Sequence, residues 1–420
     1  MEWKKRMALL GKFKNERIFC GLDVGSQRIK ISLLKAPDLQ IMQLLDLYEA
    51  KTAGFKNSSV SDLGELSESI QLALNGVMKK NDLRIQEVYL GVGGDLIDVH
   101  QTQSTIPVIE RGSKVITKAD IKNVDTQARL LGTKMDEEIL HDFPQAYRVD
   151  DANTARNPLG LYGRKLAVET LLVVANGARM RNVIKAVHDA GYEVMDSYFT
   201  TYAASEAILS DKDKNEGCIL IDISSQVTSV LIFKDGILKY VGKINWGGNN
   251  ITGRIATDLN LSLDLAEEIK KSYAVALKSD RRNEEEILVK REAAYSPVKR
   301  EAICNALDPE IENLVLAVKD TIYGSGLFQQ INTGMVVIGG GSVLPGLLER
   351  LEESVNFPVV MGRMKVANNS PHSVAVYSPA VGLAQLGAHK SQTASLSANG
   401  QLTASNPFIS KVKEFYQEYF

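Results

Sequence analysis

Three cysteines and five histidines in 420 residues leave little with which to build a metal cage or a disulfide framework. Cys20, Cys218 and Cys304 are scattered, without ligand spacing, and Cys20 and Cys218 stand in apolar strands where a thiol is buried and inert. A chain without a disulfide pattern fits a reducing cytosol. No run approaches the ~20 apolar residues of a membrane span. The net charge of −2 provides no general attraction to nucleic acid, and none is expected as a partner. What remains is the composition of a globular protein, 44% hydrophobic and 24% charged, too long for one ordinary core.

One pattern is present twice. Leu22-Asp-Val-Gly-Ser-Gln-Arg-Ile-Lys-Ile-Ser-Leu-Leu-Lys35 recurs 199 residues later as Ile221-Asp-Ile-Ser-Ser-Gln-Val-Thr-Ser-Val-Leu-Ile-Phe-Lys234. Each copy reads as an apolar strand, an Asp at its tip, a tight turn of small residues and a second strand. Two such hairpins facing each other across a cleft would offer backbone N–H groups to a polyphosphate, with Asp23 and Asp222 on either side to hold a cation. A third turn, Gly339, Gly340 and Gly341 followed by Ser342, ends another apolar strand. An ordinary strand-to-helix turn explains any one of the three; their order along the chain points to nucleotide.

Between the repeats, helical periodicity covers 63–79, and an α+β insertion is expected at about 94–175. The insertion contains strands near 104–109, 146–149 and 166–174 and a helix from an N-cap at Thr117 to about 131. Helices are expected at 179–190, 200–209, 251–259, 265–277 and 311–323, with a polar run at 210–216. From 389 to 405 the chain is a Ser/Thr/Gln/Ala/Asn/Gly tract that reads as a flexible linker, spanning roughly 20–25 Å as a coil. Beyond it, Phe408, Ile409, Val412, Phe415, Tyr416 and Tyr419 fall within a ~120° arc of a helix, flanked by Lys411 and Lys413. Such a stripe lies in a bilayer interface while its amines reach the headgroups, or docks on the protein's own body. The basic stretch 1–15, with Trp3, Met7 and Leu10 at helical spacing, reads as a disordered arm or a weak second membrane contact.

These motifs resemble the actin/Hsp70/sugar-kinase ATPase superfamily and, within it, the bacterial FtsA family. Asp23, Gly25, Ser26 and Lys30 match its first phosphate motif. Asp222, Ser224, Ser225, Gln226 and Thr228 stand where the second belongs, and Gly339, Gly340, Gly341 and Ser342 in the adenosine motif. Glu267 and Lys270 match the helix that reaches the ribose and adenine; a solvated i,i+3 pair is the other reading. Three features separate FtsA from a sugar kinase: the His141–Asp151 stretch with Asn157-Pro-Leu-Gly-Leu-Tyr-Gly163, the Trp246-Gly-Gly-Asn-Asn-Ile-Thr252 segment and the tail. A PilM-type pilus-assembly homologue shares the fold and the insertion but has no comparable tail. A sugar or acetate kinase would need an acidic general base and has no use for one.

The resemblance implies an α/β fold: the actin-like two-lobed ATPase fold of duplicated ribonuclease-H-like domains, with a 1C insertion. It divides the chain into subdomains 1A (16–93 and 176–205), 1C (94–175), 2A (206–245 and 332–388) and 2B (246–331), then the linker and the membrane helix 406–420. It implies ATP and Mg²⁺ as cofactors and polymerisation with copies of itself. It also implies a peripheral location at the division site, on the cytoplasmic face of the cell membrane. The partners would be the FtsZ C-terminal peptide, membrane lipids and later divisome proteins. One departure matters. The family's second phosphate motif usually runs Asp-Ile-Gly-Gly-Gly-Thr-Thr-Asp, and here all three glycines and the closing Asp are replaced. If that turn needs φ > 0, Ser and Gln adopt it under strain; weak or absent ATP hydrolysis is the expected consequence, and no catalytic base is identified.

Overall fold

The computed structural model describes residues 17–36, 42–109, 112–150, 153–277, 286–291, 294–365 and 374–398. The basic arm, the end of the expected linker and the whole amphipathic tail, Phe408 to Tyr419, lie outside them. The chain forms two compact units that divide at Ala203 and Ala204, with residues from Ala380 onward belonging to the first.

The first unit opens with β1 (Ile18–Val24), which pairs antiparallel with β2 (Arg28–Lys35), itself antiparallel to β3 (Gln43–Lys51). Leu22, Ile29, Ile31, Leu33 and Leu34 are fully buried, so this hairpin is core. Helix α1 (Leu63–Asn81) starts at Asp62, whose carboxylate accepts the Glu65 N–H at 2.9 Å. Its buried Leu66, Ile70, Ala73, Leu74 and Val77 make one apolar stripe. Strand β4 (Glu87–Val92) then runs parallel to β1.

The insertion contains β5 (Ile97–Pro107), α2 (Lys118–Gly132), β6 (Glu137–Val149), β7 (Asn153–Ala155) and β8 (Lys165–Asn176), in a sheet of order β7-β6-β8-β5. Helix α2 begins at the expected cap: Thr117 Oγ1 accepts the Asp120 N–H and the Asp120 carboxylate accepts the Thr117 N–H. Its Val124 and Ala128 pack on Ile116, Tyr147, Val149, Leu166 and Val168. Both β5 and β6 begin well before the sequence pattern suggested. In β6, Pro144 looks like a breaker, yet it lies beside a bulge in the pairing with β8, where a proline is tolerated. Helix α3 (Gly177–Asp189) returns the chain to β9 (Glu193–Phe199), parallel to β4, and completes the first sheet as β9-β4-β1-β2-β3.

Helix α4 (Thr200–Ile208) leads into the second unit. The polar run that follows is itself helical, α5 (Asp211–Glu216), because Ser210 and Asp213 form a capping box. Strands β10 (Cys218–Ile223), β11 (Thr228–Lys234) and β12 (Ile237–Ile244) form an antiparallel meander. Helices α6 (Gly248–Asp258) and α7 (Leu263–Tyr273), the hairpin β13 (Glu286–Arg291) and β14 (Ala294–Lys299), and α8 (Arg300–Gly324) come next. The helical pattern was legible only from 311 because Pro309 interrupts it; buried Ile303, Cys304, Ala306 and Leu307 carry the helix across. Strand β15 (Met335–Ile338), α9 (Leu347–Val355) and β16 (Val359–Met361) complete a sheet of order β12-β11-β10-β15-β16. Both sheets therefore have one topology, a three-stranded antiparallel meander extended by two parallel strands, so the repeat seen in the sequence is a duplicated unit.

Helix α10 (Val374–Ala398) corrects one expectation. Residues 389–398 are helical, not linker, since the tract has no Gly or Pro before Gly400 and its Ala, Leu and Gln favour a helix. Lys390 pairs with Asp196, and Ser391 accepts from Arg17 at 2.9 Å. The expected boundary at 388 falls inside this helix. All three cysteines are buried, and burial pushes the thiols of Cys20 and Cys218 up to about 12, which keeps them unreactive. Among the described residues no helix is long and apolar enough to cross a membrane.

Candidate functional site

The two repeats fold alike down to the turn hydrogen bond. Gly25 N–H donates to Arg28 O at 3.1 Å, and Ser224 N–H, at the equivalent position, donates to Val227 O at 3.2 Å. Asp23 pairs across its hairpin with Lys30, and Asp222 with Ser229, so the second copy lacks the opposing cation. Neither turn has a residue at positive φ. The strain expected of Ser224, Ser225 and Gln226 is therefore absent, because this turn is built from ordinary backbone. Gly25 is required by space: a Cβ there would lie 2.9 Å from Arg28 O.

In the first unit, β1, β4 and β9 run parallel and end together at Val24, Val92 and Phe199. Carboxyl ends of parallel strands are where α/β sheets bind ligands. Asp23 lies there beside Gly91, and a Cβ on Gly91 would be 2.7 Å from Thr200 Cγ2. Gly93 is tighter still, with Thr200 Oγ1 at 2.2 Å from such a Cβ. Ser26 and Lys30 are half-buried in the same hairpin. Gly91, Gly93 and Thr200 were not singled out as site residues; the Gly91-Val-Gly-Gly94 run after a strand was the signal available.

In the second unit, Asp222 is 6% exposed and accepts the Ser224 hydroxyl at 3.3 Å. Gly339 closes on it. Its φ of 83° and ψ of −179° belong to a region only glycine occupies readily, and an added Cβ would lie 2.5 Å from Asp222 Oδ1 and 2.6 Å from Ile223 O. Gly341 is pressed on Ile223. Gly340 faces open space, with nothing within 4 Å of where a Cβ would be. A turn closely packed at both ends and open in the middle can receive a flat or anionic group against bare backbone.

Two residues expected to bind nucleotide have internal tasks instead. Thr228 is fully buried and donates to Trp246 O at 2.9 Å, and Ser342 is buried and donates to Gly339 O at 2.7 Å. They set the shapes of the hairpin and of the glycine turn. Pro345 stands before the N-cap Gly346 of α9, two residues ahead of its first helical residue.

The Trp246–Thr252 segment gains a structural explanation. Gly248 N–H donates to Ser224 O at 2.9 Å and Asn249 N–H to Ser225 O at 2.7 Å, so the first amides of α6 hold the second turn in shape. Only glycine fits at 247, where a Cβ would meet Gln226 N at 2.5 Å. Glu267 and Lys270 form an ion pair at 2.6 Å that is far from solvated. Lys270 Nζ also donates to Gly248 O at 3.0 Å and to Thr252 Oγ1 at 2.8 Å, while the Thr252 hydroxyl reaches Glu267 at 2.5 Å. Burial, opposed by Glu267, holds the Lys270 ammonium below its usual range. Burial would raise Glu267, but the bonds from Lys270 and Thr252 outweigh it and its carboxyl is lowered. The clasp joins α7, α6 and the Ser224 turn; Thr252 and Gly248 are the members that sequence reasoning missed.

Comparison with known proteins bears on the family and the fold. The family model described as "Cell division protein FtsA" matches residues 219–382, and "SHS2 domain inserted in FTSA" matches 94–174; together they cover more than half of the chain. The cell division protein FtsA of Pseudomonas aeruginosa is 26% identical over 427 residues, 98% of this chain and 100% of that protein. Among solved structures, the PilM-PilN type IV pilus biogenesis complex aligns with TM-score 0.64 at 17% identity, over 88% of this chain and 98% of that one. MreB5 of Spiroplasma citri bound to ADP aligns with TM-score 0.52 at 12% identity, over 90% and 98%. At these identities the structural likeness shows the fold, which is actin-like with an inserted domain.

Proposed function

The chain belongs to the FtsA family of cell-division proteins, and on that premise we propose that it is an ATP-binding membrane tether for the division ring. The observation that carries the nucleotide part is the duplicated Asp-turn hairpin, closed in the second unit by Gly339 on Asp222. The residues present fit a nucleotide. Gly25, Ser26, Ser224, Ser225 and Gln226 supply turn amides and hydroxyls for phosphates, and Lys30 supplies a cation. Asp23 and Asp222 would hold Mg²⁺ through water. The open backbone at Gly340 and the Glu267–Lys270 clasp suit the nucleoside. A bound ADP in the similarly folded MreB5 supports the same reading.

Bound Mg²⁺ would offset phosphate charge, and the protein's own part is positioning. The second hairpin has Ser229 where the family has its closing Asp, and no catalytic base is assigned among the described residues; slow turnover is the expected consequence, with ATP acting as a conformational and assembly cofactor. The tail supplies weak membrane affinity that polymerisation multiplies, because one short amphipathic helix binds marginally while many joined copies do not. Subdomain 2B would take the FtsZ C-terminal peptide, and the assembled polymer would recruit later divisome proteins on the cytoplasmic face of the membrane. The test is sedimentation with anionic liposomes. The full chain should pellet, carry a labelled FtsZ C-terminal peptide with it, and lose both on Phe415→Glu. A chain that stays in the supernatant and binds no peptide would refute the tether.

A further inference from the structure

We propose that Asp98, His100 and Glu137, on the sheet of the inserted domain, form a binding site for a divalent transition cation of the zinc class. Asp98 and His100 stand two apart on β5 and so share one face of the strand, the face that α2 covers further along. Helix α2 stops at Gly132, where a Cβ would already lie 2.6 Å from Leu172 and 2.8 Å from Thr102. Helix α2 does not extend beyond that point. Glu137, the first residue of β6, reaches across β8: His100 Nε2 lies 2.9 and 3.0 Å from its two carboxylate oxygens. One ligand atom from each of the three residues lies within 4.8 Å of the other two.

The chemistry of this donor set is one imidazole and two carboxylates. Zinc takes such nitrogen and oxygen donors at about 2.0–2.2 Å, which sets neighbouring donors about 3.3 Å apart in a tetrahedron. The His100–Glu137 separations are near that value, and an Asp98 carboxylate oxygen lies within 4.8 Å of both partners' ligand atoms. The donors are also held from behind. Glu137 accepts the Lys134 N–H at 3.0 Å and its side chain is 9% exposed, and Asp98 Oδ1 accepts the Val99 N–H at 2.8 Å. Supporting bonds of this kind orient metal ligands.

A His100–Glu137 ion pair, with Lys134 at 3.2 Å from Glu137, needs no third member. Asp98 is what that pairing leaves over: among the described residues no cation pairs with it, yet its carboxylate shares the site with another carboxylate. A cation at the centre balances both charges and takes the Nε2 lone pair of the neutral imidazole. The imidazole favours Zn²⁺, Co²⁺ or Ni²⁺ over Mg²⁺ and Ca²⁺, and the remaining coordination position falls to water. The site lies in the four-stranded sheet, not in the five-stranded sheet that holds Asp23.

The probe is Co²⁺ titrated into the nucleotide-free full chain and followed by its visible d–d absorption. The expected result is one saturable equivalent, displaced by Zn²⁺ and untouched by excess Mg²⁺. Asp98→Asn and His100→Gln should each weaken it at least ~10-fold without changing the metal-free melting temperature, while Asp23→Asn retains it. No saturable band, parent-like binding by both site variants, or loss of the band on Asp23→Asn would each overturn the proposal.

Discussion

Gly339 and Gly340 are neighbours in one motif, yet the structure assigns them opposite sensitivities. Gly339→Ala must move its backbone from a φ of 83° that alanine avoids, at a cost of about 1–3 kcal/mol, or keep it under strain. It also drives a Cβ to 2.6 Å from Ile223 O, a backbone atom of β10 that cannot rotate away, adding about 1–3 kcal/mol of overpacking. The sum, about 4 kcal/mol, lowers the melting temperature of the second unit by roughly 8–16 °C. Gly340→Ala meets no atom within 4 Å and has no left-handed φ to lose, so its effect on stability is within about 0.5 kcal/mol. If nucleotide lies over Gly340, the same methyl costs about 1.4 kcal/mol of binding, a tenfold rise in Kd. Thermal melts of both variants and an ATP·Mg²⁺ titration of Gly340→Ala measure these quantities. Equal melting temperatures for the two variants would refute the packing argument, and parent-like affinity in Gly340→Ala would refute the assignment of that surface to nucleotide.

Other outcomes follow from single contacts. Thr252→Val removes the hydroxyl shared by Glu267 and Lys270 and should destabilise the protein by about 1–3 kcal/mol, with Thr252→Ser near parent stability in denaturant melts. Burial pushes Asp125 up to about 6, aided by the Asp142 charge and opposed by its bond from Tyr147. Because the folded state holds that proton more tightly than the unfolded chain, stability is full near pH 4 and falls as pH rises through 6, by at most about 3 kcal/mol. Asp125→Asn should therefore match the parent at pH 4 and melt higher at pH 8; a variant less stable at both would contradict this. Phosphate release from ATP should stay below about one per second, and several per second would show that a water is activated after all.

The fold was legible because its main signal is duplicated. A strand, Asp, turn and strand written twice predicts two similar sheets, and the sheets do share one connectivity. The three glycine or small-residue turns were likewise found from the sequence, since a strand followed by small residues is a local pattern. What was not legible depends on contacts far along the chain. By position Thr228 looks like a phosphate ligand and Ser342 like part of an adenosine site, and only their bonds to Trp246 O and Gly339 O show that they are internal supports. Thr252 joins Glu267 and Lys270 from 15 and 18 residues away. The helix over 389–398 was hidden by a polar composition that resembles a linker although its Ala, Leu and Gln favour a helix, and that over 300–310 by Pro309, where a buried face outweighs the local breaker. The absent strain at Ser224–Gln226 has the same lesson: three lost glycines suggested a cost, but the turn never used positive φ.

The most direct test of the account is a crystal structure of the full chain grown with ATP and Mg²⁺. It predicts intact triphosphate touching the turn amides at Gly25–Ser26 and at Ser224–Gln226, with Mg²⁺ reached by Asp23 and Asp222 through water and the nucleoside over Gly340. Both turns without nucleotide at saturating ATP, or a nucleotide bound elsewhere on the chain, would contradict it.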